Sequence, residues 1–357
     1  MRTLSANRHH QRGLSLVELL VAVTIGLLIL ATVIGVFFAT NRNYRENDAL
    51  TALQDNARFA MDTLARDLAM AGYWGGVRPV DAARNVRVSA AAIAAMATGT
   101  PSDCAPATPP AGSWLLNPGA AIEFRDHTVS AAASAFSRCL GQLQPNTDVV
   151  MIRRVAGQAA RRLTTAGNFT LTGGRIYLKS NQSTASLFRA GSGSLDLLNP
   201  ADCTDPDSGV TITCPPVDVP ADFHAYLPHL YFVHNVSGSV TVPSLCRYFL
   251  RDDQSGSAPV MEEDCLAEGV ENLQLEWGIA GTDGRTIDRY RNAYSIDARA
   301  VRIHLLVRAR DTTAVPSDAG REFVMANYSS AGDTTFAQSG VLRRAFTTTV
   351  QLKNYRE

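Results

Sequence analysis

Lysine is almost missing from this chain: of 33 basic residues, only Lys179 and Lys353 are not arginine. That bias fits genome composition and carries no functional weight. Net charge is missing too, because 33 acids balance the 33 basic residues. The balance removes the long-range attraction on which a dedicated nucleic-acid binder relies. No cysteines stand in a Cys-x-x-Cys pair, so zinc-ribbon and thioredoxin-like readings have no support. There is no Gly-x-Ser-x-Gly elbow, Walker loop or His-Glu-x-x-His motif. No nucleophile or general base stands out, no cofactor is expected, and the chain does not read as an enzyme. Disorder is disfavoured as well: hydrophobic residues make up 46% and charged residues 18%, which suits a sizeable core.

The most informative absence is of charge between Leu19 and Asn41. At about 1.5 Å rise per residue, this run as a helix exceeds a hydrocarbon core of about 30 Å. Residues 1–13 before it carry Arg2, Arg8 and Arg12 and no acid, which predicts a cytoplasmic N-terminus with everything after Asn41 on the far side. An ordinary secretory signal would have a shorter apolar region and an Ala-x-Ala-like site after it, and none follows Ala39. Neither that signal nor a plain signal anchor accounts for Glu18, set in Gly13-Leu14-Ser15-Leu16-Val17-Glu18-Leu19. A charge inside a membrane helix costs about 2.5–3.5 kcal/mol on insertion scales, so it calls for a functional partner. Cleavage between Gly13 and Leu14 would supply one. The new α-amine on Leu14 would lie about one helical turn from Glu18, and in an apolar setting it needs a counter-charge from its own or a neighbouring subunit.

A short basic leader ending in glycine, an apolar first residue, a glutamate fifth in the mature chain and a long apolar helix together resemble the type IV prepilin signature. The stretch Arg12-Gly13-Leu14-Ser15-Leu16-Val17-Glu18-Leu19-Leu20 matches it position by position. The resemblance implies that a membrane prepilin peptidase cuts after Gly13 and methylates Leu14, and that the helices then pack in a filament core. It also implies other minor and major pilins and an inner-membrane assembly platform as partners, with no nucleic acid expected. One departure is Gly35, where many major pilins carry proline. Gly26 and Gly35 would either loosen the helix or serve as packing sites between helices.

A second helical pattern follows without a break, since no proline interrupts residues 14–72. Leu50, Leu53, Ala57, Ala60, Leu64, Leu68 and Ala71 recur at three- and four-residue spacing, while Arg58, Asp62, Arg66, Asp67 and their like take the polar positions. One long helix is predicted over 14–72, membrane-spanning over about 14–40, amphipathic beyond, and stopped by Gly72, Gly75 and Gly76. Residues 77–120, rich in alanine, proline, serine and threonine, read as loops and short elements with one helical stretch near Ser89–Ala97. Strand patterns follow at Asp148–Arg154, Arg175–Lys179, His229–Val236, Arg247–Leu250, Leu273–Gly278, Val301–Arg310 and Phe346–Lys353. The fold class is therefore α+β, a long N-terminal helix packed on an antiparallel β-rich domain spanning 73–357. Three stretches, Gly269–Trp277, Val301–Arg308 and Arg344–Asn354, resemble the C-terminal half of PilW-like minor pilins and the related J-type minor pseudopilins of type II secretion. Length favours the pilin side. The resemblance implies a subunit that initiates or caps pilus assembly. A tip-located binding or adhesin module and a type II secretion pseudopilin are the alternatives.

Six cysteines behind an exported segment suggest disulfides in an oxidising compartment. Spacing alone does not choose the pairing. Local closure gives Cys104 with Cys139, Cys203 with Cys214 and Cys246 with Cys265, the last flanking a turn at Asp252–Ser257. His224, His229 and His234 stand five apart, which on a strand alternates faces and does not converge on a metal. They read as ordinary surface or half-buried histidines. The acidic runs Asp252-Asp253 and Glu262-Glu263-Asp264 read as solvated turn charges, and no metal site is expected.

Overall fold

The computed structural model describes residues 15–89, 92–94, 111–128, 143–163, 169–181, 184–190, 194–195, 221–235, 242–251, 259–284, 286–310, 323, 325 and 341–355. Gly13, Leu14, Cys104, Cys139, Cys203, Cys214 and the expected turn at Asp252–Ser257 lie outside them, as does most of Ser89–Ala97, of which 92–94 are helical.

Helix α1 runs unbroken for 55 residues, Leu16–Met70. Gly26 and Gly35 do not interrupt it, and nothing lies within 4 Å of where a Cβ would stand on either. By compactness the chain divides into residues 1–51 and 52–357. In the first unit every large apolar side chain from Leu16 to Phe38 is exposed, and this helix is long and apolar enough to cross a membrane.

In the second unit α1 turns amphipathic. Leu53, Ala57, Ala60, Leu64 and Leu68 are buried along one stripe, as the spacing predicts. The helix stops because Gly72 takes a φ of 70° and Gly75 one of 58°, a left-handed backbone that other residues enter at a penalty. The chain then runs beside strand β3 (Thr147–Val155), with Gly72 N–H donating to Arg153 O at 3.1 Å and Val155 N–H to Tyr73 O at 3.0 Å. Gly75 is also sterically confined: a Cβ there would lie 2.9 Å from Ser180 Cβ, and its carbonyl accepts from Ser180 Oγ–H at 2.7 Å. Gly75→Ala is expected to destabilise the domain by about 2 kcal/mol through backbone strain and crowding together. Ser180→Gly should recover only the crowding part, and thermal denaturation of single and double variants checks this.

Beyond the helical stretches α2 (Pro79–Asn85), 92–94 and α3 (Ala111–Leu115), the domain is strand-rich. Among the described residues the larger sheet has nine strands. They are β1 (Val86–Val88), β2 (Ile122–Thr128), β3, β4 (Arg161–Leu163), β6 (Ile176–Ser180), β7 (Ala185–Arg189), β9 (Ala221–His234), β10 (Ser244–Arg251) and β11 (Val260–Glu268). A short pair joins β5 (Phe169–Thr170) to β8 (Ser194–Leu195). The second sheet has the order β13 (Ile287–Arg291), β12 (Val270–Ala280), β14 (Ala298–Arg308), β15 (Arg343–Gln351). Among the described residues pairing is antiparallel except between β1 and β7. The three C-terminal stretches singled out in the sequence are β12, β14 and β15, which lie side by side.

Strand β9 organises the larger sheet. Its first residues pair with β4 and β6, and its later ones with β3 and β10. The apolar pattern starts this strand at His229, eight positions late. Proline is tolerated here for a specific reason. Arg153, opposite Pro228, directs its own N–H away from β9 to Ala121 O at 2.8 Å, so Pro228 faces no acceptor on β3. On its other side Pro228 falls in the gap between the residues paired with β6 and those paired with β10.

Candidate functional site

The candidate site has two parts on one helix: its charged start and its seat on the domain. At the start, Ser15 N–H donates to Glu18 Oε2 at 3.3 Å, while Leu19 N–H closes the first turn onto Ser15 O at 3.1 Å. Ser15-x-x-Glu18 is thus half of a capping box, with Glu18 folded back toward the chain end. That local spacing was readable in the sequence. It leaves the carboxylate bonded to the backbone N–H of Ser15. Gly13 and Leu14 themselves lie outside the described residues.

At the seat, the buried stripe of α1 contains one acid. Asp67 is only 4% exposed, which corrects its assignment to the polar face. Its place three residues after Leu64 and seven after Ala60, on the buried stripe, was the available signal. Three side chains from the sheet surround it. Arg154 of β3 donates through Nε to Asp67 Oδ1 at 2.8 Å and again through its terminal nitrogen. From β9, His229 Nδ1 and Tyr231 O–H both bond Asp67 Oδ2. An ionised carboxylate only accepts, so His229 carries its proton on Nδ1. Burial alone would push the Asp67 carboxyl up, but the hydrogen bond and charge of His229, the Arg154 guanidinium and the Tyr231 hydroxyl outweigh it and hold the carboxyl far below the usual range. Burial and then the Asp67 charge push the Tyr231 phenol well up, so it remains a donor. Further along the same helix, Asn56 Nδ2 reaches Glu268 O at 3.1 Å, and Asn354 Nδ2 reaches Ala71 O at 3.0 Å.

The opposite face of β9 looks into the main core, where Tyr226, Leu230 and Phe232 pack with Trp74, Trp114, Val149 and Met151. Arg153, fully buried, caps α3 by donating to Trp114 O at 3.0 Å and Leu115 O at 3.3 Å, and it pairs with Glu123 at 3.1 Å.

The three histidines do not converge. His224 bonds Ala156 O at 2.8 Å, His229 is held by Asp67, and His234 lies beside Glu263. His224 and His229 are buried, which corrects their reading as surface or half-buried residues: each has a polar partner that offsets its burial. Glu262, Glu263 and Asp264 also depart from expectation. They sit on β11 rather than in a turn, and face Arg251, Tyr248 and Arg247 across the ladder. Cys246 and Cys265 are disulfide-bonded, the local pairing expected.

With this geometry in place, two family models match the chain. Residues 8–34 match the prokaryotic N-terminal methylation motif, and residues 230–354 match Type IV Pilus-assembly protein W. The pilin-like protein PilA3 of Thermus thermophilus is 41% identical over 66 residues, which are 18% of this chain and 28% of that relative. The chain thus spans little more than a quarter of the curated relative it matches. No solved structure matches it. The methylation-motif match overlaps the start of the long apolar helix α1, ahead of the strand-rich domain, an arrangement similar to that of pilin-type subunits. The second match runs from within β9 past β15, so this part of the chain is similar to Type IV Pilus-assembly protein W.

Proposed function

We propose that this protein is a minor pilin that helps initiate or cap a type IV pilus, and that its role is structural rather than catalytic. The observation that carries the reading is the division of α1. Its first half presents apolar side chains all round and its second half is built into the domain through a buried stripe. A helix apolar all round needs lipid or other apolar helices around it, and a filament core of packed pilin helices offers the second environment after the membrane has offered the first. In this reading residues 1–13 are a leader, 14–72 the helix, and 73–357 the domain, which starts on the periplasmic side of the inner membrane and ends on the pilus surface. A prepilin peptidase cuts between Gly13 and Leu14 and methylates the Leu14 amine. The assembly platform and other minor and major pilins receive the mature subunit. Placement at the tip, with a part in adhesion or motility, extends this reading. The W-type domain supports the pilus over type II secretion as the host system.

Processing is the direct test. Mass spectrometry of the N-terminal peptide from membrane-extracted protein should give a methylated Leu14 start. A start near Asn41 would mark an ordinary secretory signal and end the pilin reading. Recovery of the tagged protein in sheared filaments tests the second half of the proposal.

A further inference from the structure

Four metal-donor side chains converge where β9, β10 and β11 lie side by side. His234, Cys246, Glu263 and Cys265 each bring one donor atom, all within 4.8 Å of one another. The register produces this. Ser244 stands opposite His234, Cys246 opposite Cys265 and Tyr248 opposite Glu263, so alternation places all of them on one face. Cys265 and Glu263 stand two apart on β11 in the regular part of the ladder, so they share that face, and the register shift falls just beyond them, between Leu245 and Cys246. Glu263 is the centre of the group. Its Oε1 is bonded by His234 Nδ1 and lies 3.5 Å from Cys265 Sγ, while its Oε2 accepts from Tyr248 O–H at 3.0 Å. Phe232 stacks on Tyr248 with ring centroids 5.4 Å apart and forms an apolar wall.

We propose that these four residues form a redox-gated site for a zinc-class divalent ion, closed while Cys246 and Cys265 are joined and opened when a dithiol reductant separates them. In the opening step the reductant's thiolate attacks the exposed Cys265 sulfur, and buried Cys246 leaves as the thiolate. The reductant's second thiol then releases Cys265 and closes its own disulfide. Two electrons pass to the protein sulfurs, and the two thiol protons of the reductant end on Cys246 and Cys265. The ion then binds two thiolates, the neutral His234 imidazole and the Glu263 carboxylate, and two protons leave to solvent. Two sulfurs, one nitrogen and one oxygen make a donor set that zinc holds tetrahedrally, at about 2.3 Å to sulfur and about 2.0–2.2 Å to nitrogen and oxygen. Such a tetrahedron separates its donors by about 3–4 Å, so the existing cluster needs only side-chain adjustment. The hydrogen bond between His234 and Glu263 marks the place the ion takes. Tyr248, through the far carboxylate oxygen, is the positioning residue that orients Glu263.

Alkylation mapping of the full-length protein in detergent tests this without removing any cysteine. In the reduced wild type, zinc should protect Cys246 and Cys265 from iodoacetamide, and cobalt should give a thiolate-to-metal charge-transfer band. The oxidised protein should give neither. His234→Ala and Glu263→Gln should each weaken protection at least about tenfold, and Tyr248→Phe by about 10–100-fold. Absence of protection in the reduced wild type overturns the proposal. So does cobalt binding that survives oxidation, or protection unchanged in both His234→Ala and Glu263→Gln. The readout is independent of filament assembly, so its failure leaves the minor-pilin reading untouched.

Discussion

Asp67→Ala is expected to destabilise the domain by about 3–5 kcal/mol, the range for removing one member of a buried ion pair. The substitution leaves Arg154 without its carboxylate and strips Tyr231 and His229 of their acceptor in a buried setting. Thermal or urea denaturation of the detergent-solubilised protein measures the loss, and a change under about 1 kcal/mol would mean that the hub is a minor contributor. The pH dependence follows with a definite sign. The folded carboxyl is held far below its unfolded value of about 3.9. Its stabilisation is therefore complete above that value and is lost as pH falls through the folded pKa. Wild-type stability should decline from about pH 4 downward, and Asp67→Asn should flatten that limb while lowering the plateau above it. Parallel acid limbs in the two proteins would assign the acid loss to other carboxylates.

Glu18→Ala is expected to cut recovery in sheared filaments by at least about tenfold, which needs only about 1.4 kcal/mol of lost charge pairing. Membrane insertion should continue, because removing a charge from an apolar helix lowers the insertion penalty. Glu18 lies outside the compact unit formed by residues 52–357, so domain stability should not change. Glu18→Gln separates the two roles that the geometry offers. Glutamine can keep the hydrogen bond to Ser15 N–H but supplies no counter-charge for the Leu14 amine. Loss of incorporation with glutamine assigns the role to charge. Full incorporation with glutamine reduces Glu18 to a helix cap and removes the charge-pair mechanism, whatever the alanine variant does. Western analysis of sheared filament and membrane fractions reads both outcomes.

What the sequence made legible was local. The long helix, its glycine stop and the strands that became β12, β14 and β15 were all written in apolar spacing over neighbouring residues. The Cys246 and Cys265 pairing was legible for the same reason, since the two strands are adjacent in the chain. The buried polar groups were not. Asp67 is made tolerable in the core by residues at positions 154, 229 and 231, and Arg153 by carbonyls near position 115. A charge whose partners arrive only on folding looks, in one dimension, like a surface charge. The strand start at Ala221 was hidden in a similar way, because whether Pro228 breaks a strand depends on which neighbours pair on either side. Histidine spacing correctly argued against a three-histidine cluster, yet it gave no hint that His234 would meet two cysteines and a glutamate drawn from other strands.

The attachment of α1 also has a mechanical reading. The contacts at Asn56, Asp67 and Ala71 are spread along the helix axis rather than gathered at a single point. A pull directed along that axis therefore loads them together, in shear, along with the buried stripe of Leu53, Ala57, Ala60, Leu64 and Leu68. Beyond Met70 the same pull passes through Gly72 and Tyr73 into β3, whose ladder runs on to β9. Several bonds must then yield at once before the helix is drawn from its seat, whereas a sideways peel would meet them one after another. A subunit tethered in this way resists traction better than its equilibrium stability alone suggests, and single-molecule pulling along and across α1 should give different rupture forces.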